Sequence, residues 1–221
     1  MADNMRTARR TDALSKQRIV DASIGILDEQ GEEALTFRAL AARLATGPGA
    51  IYWYVADKEA LLAAATDQII SEVTAKALNG SGPQEAIRTL ALGVFDAIDA
   101  HPWIGARLSR APEQHAVLRI LEGLGSQVQA LGVPEQTHFN AATALLSLIL
   151  GLAGQYAAHS RFAQPNMDRR TLLEAVAARW RQLDAEKHPF LRQVAAKLPD
   201  HDDRAQFLAG VDLILAGMLA G

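Results

Sequence analysis

Four short stretches of this sequence hold residue types that could do chemistry. In TGPGAIYWYVADKEALL (46–62) the residues Tyr52, Trp53 and Tyr54 stand side by side, in a chain where aromatics make up only 5%. Neighbours on a helix point about 100° apart, so the three rings cannot all face one core and at least one is offered outward. Phenolic hydroxyls hydrogen-bond phosphate, and an indole can lie against base edges or a thymine methyl, so the chemistry on offer is contact with nucleic acid. The other three stretches suggest metal ligands. Glu135 and His138, in EQTH, share a helix face as di-iron bundles require. Those sites need two such motifs and further carboxylates, and Glu135 follows Pro134, where it meets a helix N-terminus. Asp200, His201, Asp202 and Asp203 precede a helix, where acids serve as caps. His101, Pro102 and Trp103 form a helix stop followed by a helix start. There is no nucleophile–base order, no phosphate-binding glycine loop and no complete metal set. The expectation is a chain that is not an enzyme, with no catalytic residues, no metal and no cofactor.

The elements that must position the aromatic triplet are helices. No stretch alternates with the period of a half-buried strand, and Ala and Leu are abundant, so the fold class is all-α. Ser15 is placed to cap a first helix with Ile19, Ala22, Ile26 and Leu27 on its apolar face, and Gly31 to stop it. A second helix starts at Thr36, turns Phe37, Leu40, Ala41 and Leu44 inward and ends near Ala45. A third runs from Thr46 to about Tyr54. Asp57 caps a long fourth helix that ends at the NGSGP break (79–83). Amphipathic segments follow at 84–100, after Pro102, and at 112–131, 134–162 and 168–185, with a short piece and a last helix from Asp202.

At 221 residues the chain can hold a small domain joined to a larger one. The absence of cysteine excludes a disulfide framework, a thiolate metal site and thiol redox chemistry. The N-terminal MADNMRTARRTDALSK is polar, so the cytoplasm is the expected location. The longest apolar run, ALLSLILGLAG (144–154), falls short of a membrane span. A formal net charge of -3 provides no bulk attraction to nucleic acid, so any such affinity must come from local charge, as at Arg6, Arg9, Arg10, Lys16 and Arg18. The expected division is a basic flexible arm over 1–15, a helix-turn-helix unit over 16–62 and a larger helical bundle over 63–221. In a helix-turn-helix the second helix enters the DNA major groove. The 141–158 stretch and the last helix are apolar nearly all round, which demands cover on several sides. With Gly151, Gly154, Gly210 and Gly217 allowing close approach, these two helices are expected to build a four-helix homodimer interface that includes Leu213 and Leu215.

The segments LTFRALAARLATGPGAIYWYVADKEALL and IVDASIGILDEQG resemble the N-terminal DNA-binding domain of the TetR (tetracycline repressor) family of transcriptional regulators, over roughly 17–65. The tail PDHDDRAQFLAGVDLILAGM is similar to the last, dimer-forming helix of the subclass nearest tetracycline repressor itself. The resemblance implies that Thr36 and Arg38 touch phosphate and a base at the start of helix two. It implies that Pro48, Gly49 and Ala50 occupy the base-reading end of helix three, that Trp53 reads or packs on bases, and that Tyr52, Tyr54 and Lys58 grip phosphates. One departure matters: Gly47, Pro48, Gly49 and Ala50 stand where many relatives carry polar base readers. Direct readout is therefore thin, and weight shifts to Arg38, methyl contacts, DNA shape and the basic arm.

The resemblance also implies that the C-terminal bundle binds a small molecule. His101 falls where tetracycline-binding relatives place a histidine that helps hold a drug-bound magnesium ion, although the stop-and-start reading of HPW argues against metal here. Polar or aromatic interruptions in aliphatic segments make Phe95, His101, Trp103, Arg107, Phe139, Gln155 and His159 the candidates to line a pocket. The function expected is that of a homodimeric, ligand-responsive repressor on a palindromic double-stranded DNA operator. An activator, or a DNA-binding protein without ligand control, shares the same motif and stands as the alternative.

Overall fold

Each helix begins and ends where local chemistry stops the backbone ladder. Ser15 Oγ accepts the Arg18 N–H at 3.2 Å and opens α1 (Lys16–Gln30); Gly31, at φ +79°, closes it. Thr36 Oγ1 accepts the Ala39 N–H and opens α2 (Phe37–Arg43). Pro48 takes the first position of α3 (Pro48–Tyr52), where a missing N–H costs nothing. Asp57 accepts the Ala60 N–H at the head of α4 (Lys58–Leu78). The rest of the chain forms α5 (Pro83–Ala100), α6 (Trp103–Arg110), α7 (His115–Ala130), α8 (His138–Phe162), α9 (Arg169–Arg181), α10 (Pro189–Val194) and α11 (Asp203–Leu219). The computed structural model describes residues 14–78, 82–110, 114–162 and 169–220, without the side chains at 78, 110, 153 and 156–162. Arg6, Arg9, Arg10 and positions 79–81 of the expected break lie outside the described residues.

Two apolar cores result. The smaller gathers Ile19, Val20, Ile26 and Leu27 of α1, Leu35, Leu40 and Ala41, Ile51 and Val55, and Leu61, Leu62 and Ala65 of α4. The larger gathers Ile70 and Ala77 of α4 with α5, α6, α7, α8 and α11. One helix thus supplies both cores, changing allegiance between 65 and 70. In the larger body α4 packs on α5 and α7, α6 lies along α8, and α11 sits against α5 and α8. Arg88 pairs with Asp212 at 2.7 Å and Arg204 with Asp96 at 2.8 Å, tying α11 to α5.

The main difference from the sequence reading lies at the third helix, which is five residues long rather than nine. Residues 44–47 form the turn instead. Ala45 takes φ +50° there, while the Thr46 N–H reaches back to the Ala41 carbonyl. That six-residue closure ends α2 with a left-handed residue, a place usually filled by glycine. The metal-like stretches behave as caps and ion pairs. The His138 ring bonds the Val133 carbonyl at 2.8 Å, Asp202 caps α11, and Asp200 and Asp203 pair with Arg170 and Arg169. Among the described residues no cluster of three or more potential metal ligands forms, and no helix is long and apolar enough to cross a membrane.

Candidate nucleic-acid interface

The short α3 is fixed by two inward-facing residues, Ile51 within it and Val55 one turn later. Ile51 is fully buried and Val55 nearly so, both in the smaller core. Burying a side chain of this size is worth about 1.5–3 kcal/mol, enough to set the rotation of a five-residue helix that has little stability of its own. With those positions committed, Pro48, Gly49 and Trp53 are exposed and Ala50 is half-buried. Trp53 is 91% exposed. Such exposure of an indole removes its burial energy, so packing within the chain does not explain it.

The two tyrosines beside it are held. Tyr52 stacks on Phe37 of α2, with centroids 4.2 Å apart and planes 3° from parallel, and stays about half exposed. Tyr54 donates its phenolic hydrogen to the Leu14 carbonyl at 2.9 Å, tying the start of the described chain to the end of α3. Lys58 donates to the Glu32 carbonyl at 2.6 Å and bridges α4 to the turn before α2. Thr36 spends its oxygen on the α2 cap, and Arg38, in the first turn of that helix, is exposed. The triplet therefore fans into three roles. One ring braces α2 against α3, one pins the N-terminal chain, and one is presented to solvent.

Charge on this unit is arranged rather than abundant. Residues 16–65 carry five cations against seven acids. The acids are largely engaged within the protein. Glu29 forms a two-pronged bridge with Arg43 at 2.7 and 2.8 Å, Asp21 accepts from Gln17 and Gln68, and Glu59 meets Arg107. The Arg43 hydrogen bonds hold the Glu29 carboxyl below the usual carboxylate range. Arg43 reaches Glu29 by crossing Gly25 so closely that a Cβ there would meet its Nη2 at 2.7 Å.

Among the described residues, those expected to line a ligand pocket have different surroundings. Phe95 is 5% exposed and packs on Phe207, 5.4 Å between centroids, because its face of α5 points into the larger core. Phe139, at the first turn of α8, is 72% exposed, and Gln155 is exposed on the same helix. The His159 side chain lies outside the described residues. His101 and Trp103 reach from the bundle to the smaller unit: the His101 Nδ1 and the Trp103 Nε1 meet the same oxygen of Asp28 at 2.7 and 2.8 Å. Arg107, 8% exposed at its side chain, donates to Glu59 at 2.6 Å. Asp28 and Glu59 were missed by the sequence reading. One signal was there, since Asp28 and Glu29 sit in the last turn of α1, where the helix dipole opposes negative charge and an acid needs a partner.

Comparison with known proteins agrees with this geometry. Residues 19–65 match the family described as bacterial regulatory proteins, tetR family. The whole fold matches that of the transcriptional regulator SCO7222, a TetR from Streptomyces coelicolor, with a TM-score of 0.83 and 48% identity over 94% of this chain and 99% of that one. BioQ, solved with its natural double-stranded DNA operator, matches at 28% identity and a TM-score of 0.53 over 68% of this chain and 93% of that one. ActR from Streptomyces coelicolor, solved with actinorhodin, shares the fold at a TM-score of 0.73 and 23% identity, over 95% of this chain and 98% of that one. The chain spans about half the length of the first two curated relatives it matches, 44% and 57%. A helix-turn-helix held by α1 and α4, with α3 presented and a helical bundle behind it, together with near-complete overlap at 48% identity, makes this chain a member of the TetR family of helix-turn-helix transcriptional regulators.

Proposed function

We propose that the chain is a homodimeric repressor that binds a palindromic DNA operator and is released by a small molecule, acting in the cytoplasm and without enzymatic activity. The observation that carries the reading is Trp53, almost fully exposed at the end of α3 while Ile51 and Val55 anchor the same turn. With it, Thr36, Arg38, Pro48, Gly49, Ala50, Tyr52, Tyr54 and Lys58 are assigned to the DNA contact, since they supply hydroxyls, cations and small residues suited to phosphate and to methyl-bearing base edges. Lys58 and Tyr54 keep capacity for phosphate: the ammonium has donors beyond the one given to Glu32, and the phenolic oxygen still accepts.

Support for the dimer comes from α8 and α11. On α11, Ala205, Ala209, Leu213, Ala216 and Gly217 form an exposed stripe of small and apolar residues, with Leu213 75% exposed. On α8, Ala144, Ser147 and Gly151 are exposed in the same manner. A Cβ added at Gly151 or Gly217 would meet nothing within 4 Å, whereas one at Gly210 would touch Leu148, so Gly210 serves the contact between α8 and α11 within the chain. A second copy covering these stripes would make a four-helix interface.

The test is selection of sequences from a random double-stranded DNA pool by the purified protein, followed by affinity against salt. The expected result is an inverted repeat with half-sites about 34–36 Å apart and a steep fall of affinity with salt. A pool with no enriched sequence, bound weakly at every salt concentration, would overturn the reading.

A further inference from the structure

We infer that Asp28 is a positioning residue: by holding His101 and Trp103 it sets which separation of operator half-sites the protein accepts. The inference rests on the dimeric operator-binding reading above. It starts from a mechanical problem. The smaller unit and the bundle share one continuous helix, α4, and a long helix curves along its length, which turns the unit at one end relative to the unit at the other. A dimer that reads two half-sites needs those rotations removed, because one base pair more between them moves a half-site by about 3.4 Å and turns it by about 35°.

Helix α6 removes them by holding the smaller unit at two places. At its start, the Trp103 indole belongs to both apolar cores, and its Nε1 donates to Asp28 near the end of α1. The preceding His101, which ends α5, donates from Nδ1 to the same Asp28 oxygen. One turn later Arg107 reaches Glu59 in the first turn of α4, with its guanidinium side chain almost wholly buried. The two acids stand on different helices of the smaller unit, one before α2 and α3 in the chain and one after, so the pair of contacts resists roll as well as translation. Their opposite ends are rooted in the bundle, since Ile104 and Leu108 of α6 are buried in its core and α6 lies along α8. Because α8 supplies part of the proposed dimer face, the path from one recognition helix to its partner runs through α6 and Asp28.

Of these contacts, the one on Asp28 sets the angle. Glu59 stands on α4 itself, the helix both units share, whereas Asp28 stands on α1, so the Asp28 contact ties the bundle to a helix of the smaller unit other than the shared one and its loss frees the rotation that α4 permits. The side chains at this junction are partly exposed, 31% for Asp28 and 25% for His101, and His101 borders a cleft of about 500 Å³ between α4 and α5. Asp28 spends its oxygen on His101 and Trp103, and Trp103 packs against both cores, so their effect on DNA is indirect.

The experiment uses the full chain and the operator recovered by selection, remade with the half-sites one base pair closer and one and two base pairs farther apart. The unaltered protein is expected to lose about tenfold or more in affinity at each altered spacing. Asp28→Ala, and separately Trp103→Phe, which keeps an aromatic ring but deletes the N–H donor, are expected to flatten that penalty to about threefold or less. Asp28→Asn, which keeps an acceptor oxygen, should fall between. Thermal melting monitors folding. A residue that served stability alone would weaken binding equally at every spacing, and variants that retain the spacing profile of the unaltered protein overturn the inference. An unaltered protein that recovers an inverted repeat but discriminates no spacing also overturns it, while leaving the operator reading in place. One that recovers no inverted repeat removes both.

Discussion

At the scale of single residues, adjacent positions in this chain have opposite fates, and Trp53 beside Tyr52 and Tyr54 shows why. Each step along the helix rotates the side chain by about 100°, so a stack on Phe37, a bond to Leu14 and full exposure follow one another. Replacing Trp53 with Ala should lower operator affinity by about tenfold while leaving the melting temperature within about 2 °C, because an exposed side chain contributes little to stability. Gel-shift titration and thermal melting check the pair of outcomes. Ala45 makes a different demand. Its φ of +50° crowds Cβ against the following carbonyl, which a glycine relieves. Ala45→Gly should raise stability by about 0.5–1 kcal/mol in urea unfolding, the relief exceeding the extra freedom glycine has when unfolded. A loss of stability would show that the turn does not need this conformation.

At the scale of elements, α1 and α2 are clamped by Glu29 and Arg43 across Gly25. Arg43 keeps the Glu29 carboxyl ionised to lower pH in the folded state than in the unfolded one. A carboxyl whose folded value is depressed contributes stability above the ordinary carboxylate range, and that contribution fades as the pH falls through the lower, folded value. The stability gap between the unaltered protein and Glu29→Gln should therefore be present at neutral pH and close in acid below about pH 4, as read from urea unfolding across a pH series. A gap that persists unchanged in acid would mean that shape rather than charge holds the two helices. On α11 the same logic of rotation corrects the expected dimer contacts. Leu213 is 75% exposed but Leu215, two residues on and about 200° round, is 2% exposed in the larger core. Leu215→Asp would bury a charge and unfold the bundle.

At the scale of the whole molecule, Leu213→Asp is the informative variant. It places a charge on the proposed dimer face without touching the core, and sedimentation should show a folded monomer whose operator affinity has collapsed because each half-site is then read alone. An intact dimer would move the interface elsewhere. What was legible in the sequence was much of what depends on short spacing, although the third helix came out shorter than its spacing suggested. Ser15, Asp57 and Asp202 cap the helices they were expected to cap, Thr36 stands at the head of the helix expected to start there, and Ile51 and Val55 turn inward where a four-residue interval puts them on one face. The resemblance in 17–65 was legible for the same reason, being carried by local order. What was not legible was which distant side chains meet. Phe95 and His101 look alike in the sequence as interruptions of aliphatic helices, yet one fills the larger core and the other crosses to Asp28, 73 positions away. Helix periods and caps are properties of neighbouring residues, so the sequence alone determined the all-α fold and the presented α3. The Asp28 and Glu59 junctions arise from how whole helices lie against one another, and only the tertiary structure decided them.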